Sequence, residues 1–158
     1  MSKKIKIYLA GPLFTLAEIN DRKQQASLIR KTFKDELPNY ELDLFNPIEV
    51  NDELGANAHK PNIFFYESDI KFIDQTDIAI IDIDNTDDGT MAEMGYFVAL
   101  QKHVKPTLKI YILNTDWRVH KHRNEVLNKF LDGMILSHCQ YFTNFTDLLN
   151  HLLIELKK

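Results

Sequence analysis

Cysteine is almost absent from this chain: Cys139 is the only one in 158 residues. No intrachain disulfide can form, which suits a reducing compartment. No neighbouring base marks Cys139 as a nucleophile, so a buried, inert thiol is expected. Glycine is scarce too, at five residues. A phosphate-cradling loop of the Rossmann or P-loop kind needs more than the isolated Gly11 or Gly89 supplies, which excludes nucleotide-cofactor binding of that kind. There is no excess of positive charge; 19 basic against 23 acidic residues leave a formal charge of -4. No global field therefore draws nucleic acid or anionic lipid. The cluster Lys3, Lys4 and Lys6 is too short to change this and is read as solvating the start of the first strand. No apolar run approaches the roughly 20 residues of a membrane span. The first residues pass directly into a strand-like pattern, without the apolar core of a signal peptide. These absences together lead us to expect a soluble, cytoplasmic protein with no nucleic-acid or membrane partner.

Hydrophobic residues make up 44% and charged residues 27%, an ordinary globular balance, and the length suits one domain over residues 1–158. "IKIYLAG" is apolar and β-prone and runs into a turn at Gly11-Pro12. Ile19, Ala26, Ile29, Phe33 and Leu37 then recur at helical spacing up to Pro38. "YELDLF" alternates as a second strand. Residues 46–61 read as a long polar loop, and Ile63, Tyr66, Ile70 and Ile73 as the stripe of a second helix. "DIAIIDI" is apolar on both faces, the pattern of a central parallel strand. A third helix is expected from the segment "DDGTMAEMGY" to about Lys102. "TLKIYIL" forms the next strand, followed by a charged loop, "NTDWRVHKHRN". A fourth helix carries Val126, Leu127, Phe130, Leu131, Met134 and Ile135; "HCQYF" makes a fifth strand and the leucines from Leu148 to Leu156 a last helix. Alternation throughout implies an α/β fold: a doubly wound, five-stranded parallel sheet with flavodoxin-like strand order and helices on both faces.

In such sheets ligands bind beyond the carboxyl ends of the strands, where the strand order reverses. Two unusual loops would meet there, "YLAGPLF" after strand 1 and "DIDNTDDGT" after strand 3, bringing Tyr8, Asp87, Asp88 and Glu93 to one crevice. Glu93 admits two readings. Thr90-x-x-Glu93 has the spacing of a capping box; equally, a first-turn glutamate kept ionised by the helix dipole can act as a nucleophile. Asp84-x-Thr86-x-Asp88-Gly89 opens like a calcium-binding EF-hand loop, but its twelfth position falls on Gly95, so that reading fails. A two-component receiver domain would need an acidic pair where Gly11-Pro12 stands, and a lysine after the last strand. His120 and His122 could hold a metal but on a charged loop are read as solvated, and Trp117 as an anchor for that loop. Asp69, beside the apolar stripe of the second helix, reads from spacing alone as a surface aspartate.

"IYLAGPLF", Asp69 eight residues before Asp77, and "DDGTMAEMGY", at these separations, resemble the nucleoside 2-deoxyribosyltransferase family. The resemblance runs from about residue 5 to 106 and continues through "LNKFLDG". It implies a five-stranded doubly wound fold and exchange of the base of a 2′-deoxyribonucleoside, with retention, through a deoxyribosyl ester of a glutamate. By position, the resemblance makes Glu93 that nucleophile, Tyr8 the hydroxyl that orients it and Asp69 the group that meets the departing and incoming base. It assigns Asp87, or its neighbour Asp88, to the sugar 5′-hydroxyl, and Gly11 and Phe14 of the strand-1 loop to the substrate pocket. Asn128 resembles an asparagine lent to that hydroxyl by a neighbouring subunit, although Phe130 stands where the family often has methionine. The expected partners are deoxyribonucleosides and free nucleobases, the expected assembly is a homo-oligomer with shared sites, and neither metal nor organic cofactor is required. A 2′-deoxynucleoside 5′-phosphate N-hydrolase and a non-catalytic nucleoside-binding module are the alternatives.

Overall fold

The structure, a computed structural model, describes residues 2–53 and 60–158. Five strands, β1 (Lys3–Ala10), β2 (Tyr40–Phe45), β3 (Ile78–Asp82), β4 (Lys109–Leu113) and β5 (Gln140–Phe142), form one parallel sheet in the order β2-β1-β3-β4-β5. This is the doubly wound arrangement expected, with the reversal of order between β1 and β3. Every residue of β3 is buried, as a strand apolar on both faces requires.

Period-two alternation sorts each strand between two cores. Ile5, Ile7 and Leu9 of β1 and Ile78 and Ile80 of β3 pack against Ala26, Ile29 and Phe33 of α1 (Leu16–Glu36) and Leu148 and Leu152 of α7 (Phe145–Leu156). Tyr8 and Ala10 face the other way with Ala79 and Ile81. They meet Ile73 of α3 (Asn62–Ile73), Met94 and Phe97 of α4 (Asp88–His103), and Ile135 of α6 (Lys129–His138). Burying each such side chain stabilises by roughly 1.5–3 kcal/mol, so register is strongly fixed: a slip of one residue would exchange the two faces. Tyr8 thereby lies on the same side of the sheet as α4.

Two loops of the sequence reading are helical. Part of the 46–61 segment is α2 (Pro47–Glu53), with proline in the first turn, where its missing N–H is harmless; residues 54–59 lie outside the described residues. "NTDWRVHKHRN" contributes most of α5 (Trp117–Val126), which is kinked at His122. Val126 and Leu127 therefore belong to the end of α5 and the turn after it, not to the helix of Phe130 and Ile135. The second-helix stripe also differs from expectation: Ile73 is buried, whereas Ile63 and Tyr66 are exposed. Trp117 is 66% exposed with Lys121 over its ring, so it is not the buried anchor expected for that segment. None of the described helices is long and apolar enough to cross a membrane.

Candidate active site

At the carboxyl ends of β1 and β3 lies a cavity of about 350 Å³. The strand-1 loop contributes Gly11, Leu13 and Phe14, and α2 contributes Pro47 and Val50. Phe64, Phe65, Ser68 and Asp69 come from α3; Asp87, Gly89, Thr90 and Glu93 come from the start of α4. Three carboxylates thus share one wall-to-wall space with aromatic and aliphatic surfaces, the mixture that binds a small molecule with a polar end and an apolar ring. A second cavity of about 330 Å³ shares Asp69, Gly89 and Glu93 and is otherwise lined by apolar and tyrosine side chains of α3 and α4.

The N-terminus of α4 excludes one of the two readings of Glu93, the capping box. Asp87, not Thr90, is the N-cap: its Oδ2 accepts from the Thr90 N–H and from the Thr90 hydroxyl, each at 2.7 Å. The capping box is therefore absent, because an aspartate three residues earlier already satisfies the helix end. Glu93 falls in the second turn, and its Oε1 accepts from the Tyr8 hydroxyl at 2.6 Å. Tyr8 itself is fully buried, its ring held between Phe45 and Phe97 at centroid distances of 5.0 and 5.3 Å. The hydroxyl position, and with it one oxygen of Glu93, is set by core packing.

The electrostatics differ from the low proton affinity expected of a first-turn glutamate. Burial raises the Glu93 carboxyl to about 7, with Asp69 and Asp87 adding repulsion and the Tyr8 hydrogen bond opposing it. The helix dipole falls off within the first turn, and Glu93 lies beyond that turn. Burial likewise raises Asp69 to about 6, so it is not the ordinary surface aspartate that spacing suggests. Burial, together with the neighbouring Glu93 and Asp69, pushes the Tyr8 phenol well above its usual range, and Tyr8 stays a neutral donor.

The cavity gathers Glu93, Asp69, Asp87, Gly11 and Phe14, with Tyr8 behind Glu93. Asp88 is exposed and outside the lining, because as the first residue of α4 it points away from the turn that Asp87 caps; Asp87 is the aspartate facing the cavity. Asn128 is the N-cap of α6, accepting from the Phe130 and Leu131 N–H groups, and does not line the cavity of its own protomer. Ser68, Phe64 and Phe65 are not singled out from sequence, and Thr90 only as the start of a capping box with Glu93. For Thr90 a signal existed, since Asp87-x-x-Thr90 is as good a cap spacing as Thr90-x-x-Glu93.

Gly11 has a steric reason as well as a place in the lining. A Cβ there would stand 2.2 Å from Nη1 of Arg22, whose guanidinium is 2% exposed and donates to Asp82 at 2.5 Å. Cys139 is half-buried and its thiol is pushed up to about 12 by burial, so it is inert. Among the described residues no group of three or more His, Cys, Asp or Glu side chains is arranged to hold a metal ion; His122 is exposed, and the His120 side chain lies outside the described residues.

In comparison with known protein families, residues 7–134 fit the family model described as nucleoside 2-deoxyribosyltransferase. The matched span holds every cavity-lining residue together with Tyr8 and Asn128.

Proposed function

Because the chain belongs to the nucleoside 2-deoxyribosyltransferase family, we propose that it exchanges the base of a 2′-deoxyribonucleoside for a free nucleobase through an ester on Glu93. The observation that carries this reading is the Tyr8–Glu93 hydrogen bond of 2.6 Å in a cavity that Asp69 also lines. The ionised Glu93 attacks C1′ from the face opposite the base, with Oε1 engaged by Tyr8 and Oε2 left to form the new bond. The C1′–N bond breaks as Asp69 gives its proton to the departing base. The incoming base then attacks C1′, its proton passes to Asp69, and the C1′–O bond breaks to restore the Glu93 carboxylate. Two inversions give net retention.

The proton affinities bring both carboxyls near neutrality, with Glu93 the more strongly protonated of the two in the empty site. A group poised near neutrality, as Asp69 is at about 6, both donates and accepts at ordinary pH. Glu93, at about 7 in the empty site, reacts as the anion. The two carboxyls form a coupled pair, and because Glu93 holds the shared proton more tightly in the empty site, the reactive form is the minor one in which that proton has moved to Asp69. The electron-poor C1′ of the transition state is stabilised by the Glu93 and Asp87 charges; a 2′-hydroxyl would withdraw electrons from it, so deoxyribonucleosides are the substrates.

Asp87 has one oxygen committed to Thr90 and the other available for the sugar 5′-hydroxyl. A 5′-phosphate suits the site poorly: the described lining residues include three carboxylates and no lysine or arginine. This favours base transfer on free nucleosides over hydrolysis of nucleoside 5′-phosphates. The reaction balances on the protein's own carboxyls and calls for neither metal nor organic cofactor. On α6, Phe130, close to the Asn128 N-cap, is 81% exposed and Leu136, two turns further along, 70%, which supports a homo-oligomer whose neighbour completes the site.

The test is a base-exchange assay with one 2′-deoxyribonucleoside donor and one free base, read by chromatography. The proposal requires formation of the new deoxyribonucleoside, and little reaction of the matching ribonucleoside. Equal turnover of the two donors, or none of either, would contradict it.

A further inference from the structure

Between β3 and α4 the backbone takes an uncommon path. Asn85 and Thr86 are consecutive non-glycine residues at φ 64° and 45°. This left-handed region is tolerated by asparagine but is a genuine outlier for a β-branched threonine. The strained turn immediately precedes Asp87, whose side chain caps α4 and faces the cavity. Strain of this kind persists only where surrounding structure over-determines it.

Three sets of contacts do so. Below, Asp82 at the end of β3 accepts from the buried Arg22 of α1 and from the Asp84 N–H at 2.9 Å. On the β4 side, Asp84 accepts from the N–H groups of Thr115 and Asp116, at 2.8 and 3.2 Å, and from the Thr115 hydroxyl. On the other side, the Asn85 amide donates to Glu18 Oε1 at 2.8 Å. Glu18 is itself fixed: its Oε2 accepts from the Phe14 and Thr15 N–H groups at 3.0 and 2.7 Å, closing the capping box of α1. Those bonds from Thr15 and Asn85 hold its carboxyl below the ordinary value. Glu18 thus joins the strand-1 loop that carries Phe14 to the strained turn that carries Asp87. This side-chain bond clasps the two loops of the cavity to each other.

We propose that Glu18 and Asn85 are positioning residues for substrate recognition: their bond holds the Asn85–Thr86 turn so that Asp87 meets the sugar 5′-hydroxyl. The proposal rests on the reading of Asp87 given above. Neither Glu18 nor Asn85 is among the residues lining the cavity, so loss of the clasp should weaken recognition of the sugar end and leave bond-breaking largely intact.

The experiment compares kcat/KM for a 2′-deoxyribonucleoside and for its 5′-deoxy analogue. In the unaltered protein the 5′-hydroxyl should be worth roughly 10- to 100-fold, the range for a hydrogen bond to a charged group, and Asp87→Ala should reduce this ratio to near one. Asn85→Asp keeps a residue at ease in the left-handed region but turns the donor into a carboxylate facing Glu18. It should bring the ratio to within a few-fold of the Asp87→Ala value. Adding Glu18→Gln to Asn85→Asp exchanges donor and acceptor: the amide introduced at 18 donates to the carboxylate introduced at 85, and the ratio should recover. Asn85→Gly, which deletes the amide where the backbone needs a left-handed residue, is the second single variant should the first fail to fold.

A merely structural role would lower the melting temperature and both kcat/KM values together, leaving the ratio unchanged; that result overturns the proposal. So does a ratio that falls in Asn85→Asp and is not restored by Glu18→Gln. If the unaltered protein and Asp87→Ala both show no preference for the 5′-hydroxyl, the assignment of Asp87 is wrong and the clasp proposal falls with it. The two failures are therefore distinguishable.

Discussion

Glu93→Gln should make the protein inactive in base exchange and more stable, by an amount that depends on pH in a specified way. Raising the Glu93 carboxyl from 4.5 to about 7 corresponds to at most about 3 kcal/mol of stability, at about 1.4 kcal/mol per tenfold change in proton affinity. The sign follows from proton counting. Between pH 4.5 and 7 the folded protein keeps a proton on Glu93 that the unfolded chain releases, so stability falls as pH rises through this window. Below pH 4.5 both states hold the proton and the penalty vanishes; above about 7 it is complete. Glutamine carries no titrating proton, has nearly the same shape, and still accepts from Tyr8. The difference in melting temperature between variant and parent should therefore be near zero at pH 4. At pH 8 it should reach up to about 6–12 °C, at roughly 2–4 °C per kcal/mol for a domain of this size. Thermal melts at both pH values and one protein concentration provide the assay. A variant less stable at pH 8, or a difference independent of pH, would refute the account of a buried carboxylate held charged against its surroundings for function.

Asp69→Asn should lower turnover by about 10²–10⁴-fold for bases that leave only when protonated, and much less for bases that leave readily. Its rising limb of activity should also move to lower pH, because Asp69 contributes to raising Glu93. Equal losses for all donors would argue against an acid–base role. Gly11→Ala forces a Cβ to 2.2 Å from a guanidinium that is 2% exposed and bound to Asp82. Melting should show a loss of about 1–3 kcal/mol, the usual range for overpacking, and an unchanged melting curve would show that Arg22 gives way freely. Inactive Glu93→Ala mixed with inactive Asn128→Ala should recover activity after subunit exchange; a fully active monomer in sedimentation would contradict the shared site.

The strands and the sheet order were readable because burial on two faces leaves a distinct pattern, as in "DIAIIDI". α5 was not readable as a helix: only Val119 among the described side chains of its middle is buried, so no apolar stripe marks it. α2 carried a usable signal in Pro47 that the surrounding polar residues masked. Within the site, the resemblance anticipated that Glu93, Asp69, Asp87, Gly11 and Phe14 would share one cavity, whereas the electrostatics were not legible. Two overlapping cap spacings, Asp87-x-x-Thr90 and Thr90-x-x-Glu93, are equivalent in one dimension. The choice between them depends on Tyr8, 85 residues away in the chain, whose hydroxyl claims Glu93. The same distant packing buries Glu93 and raises its proton affinity, which no local dipole argument could supply. Asp69 likewise becomes distinctive only when α3 faces the start of α4 across the cavity.

The central claim is that the sugar passes through a covalent bond to Glu93. The most direct measurement is mass spectrometry of protein mixed with a 2′-deoxyribonucleoside in the absence of acceptor base, quenched with acid and digested. The account predicts a deoxyribosyl adduct on the peptide containing Glu93, absent from Glu93→Gln and discharged when a free base is added before the quench. An adduct on another residue, or full exchange activity in the unaltered protein with no adduct at any time point, would contradict it.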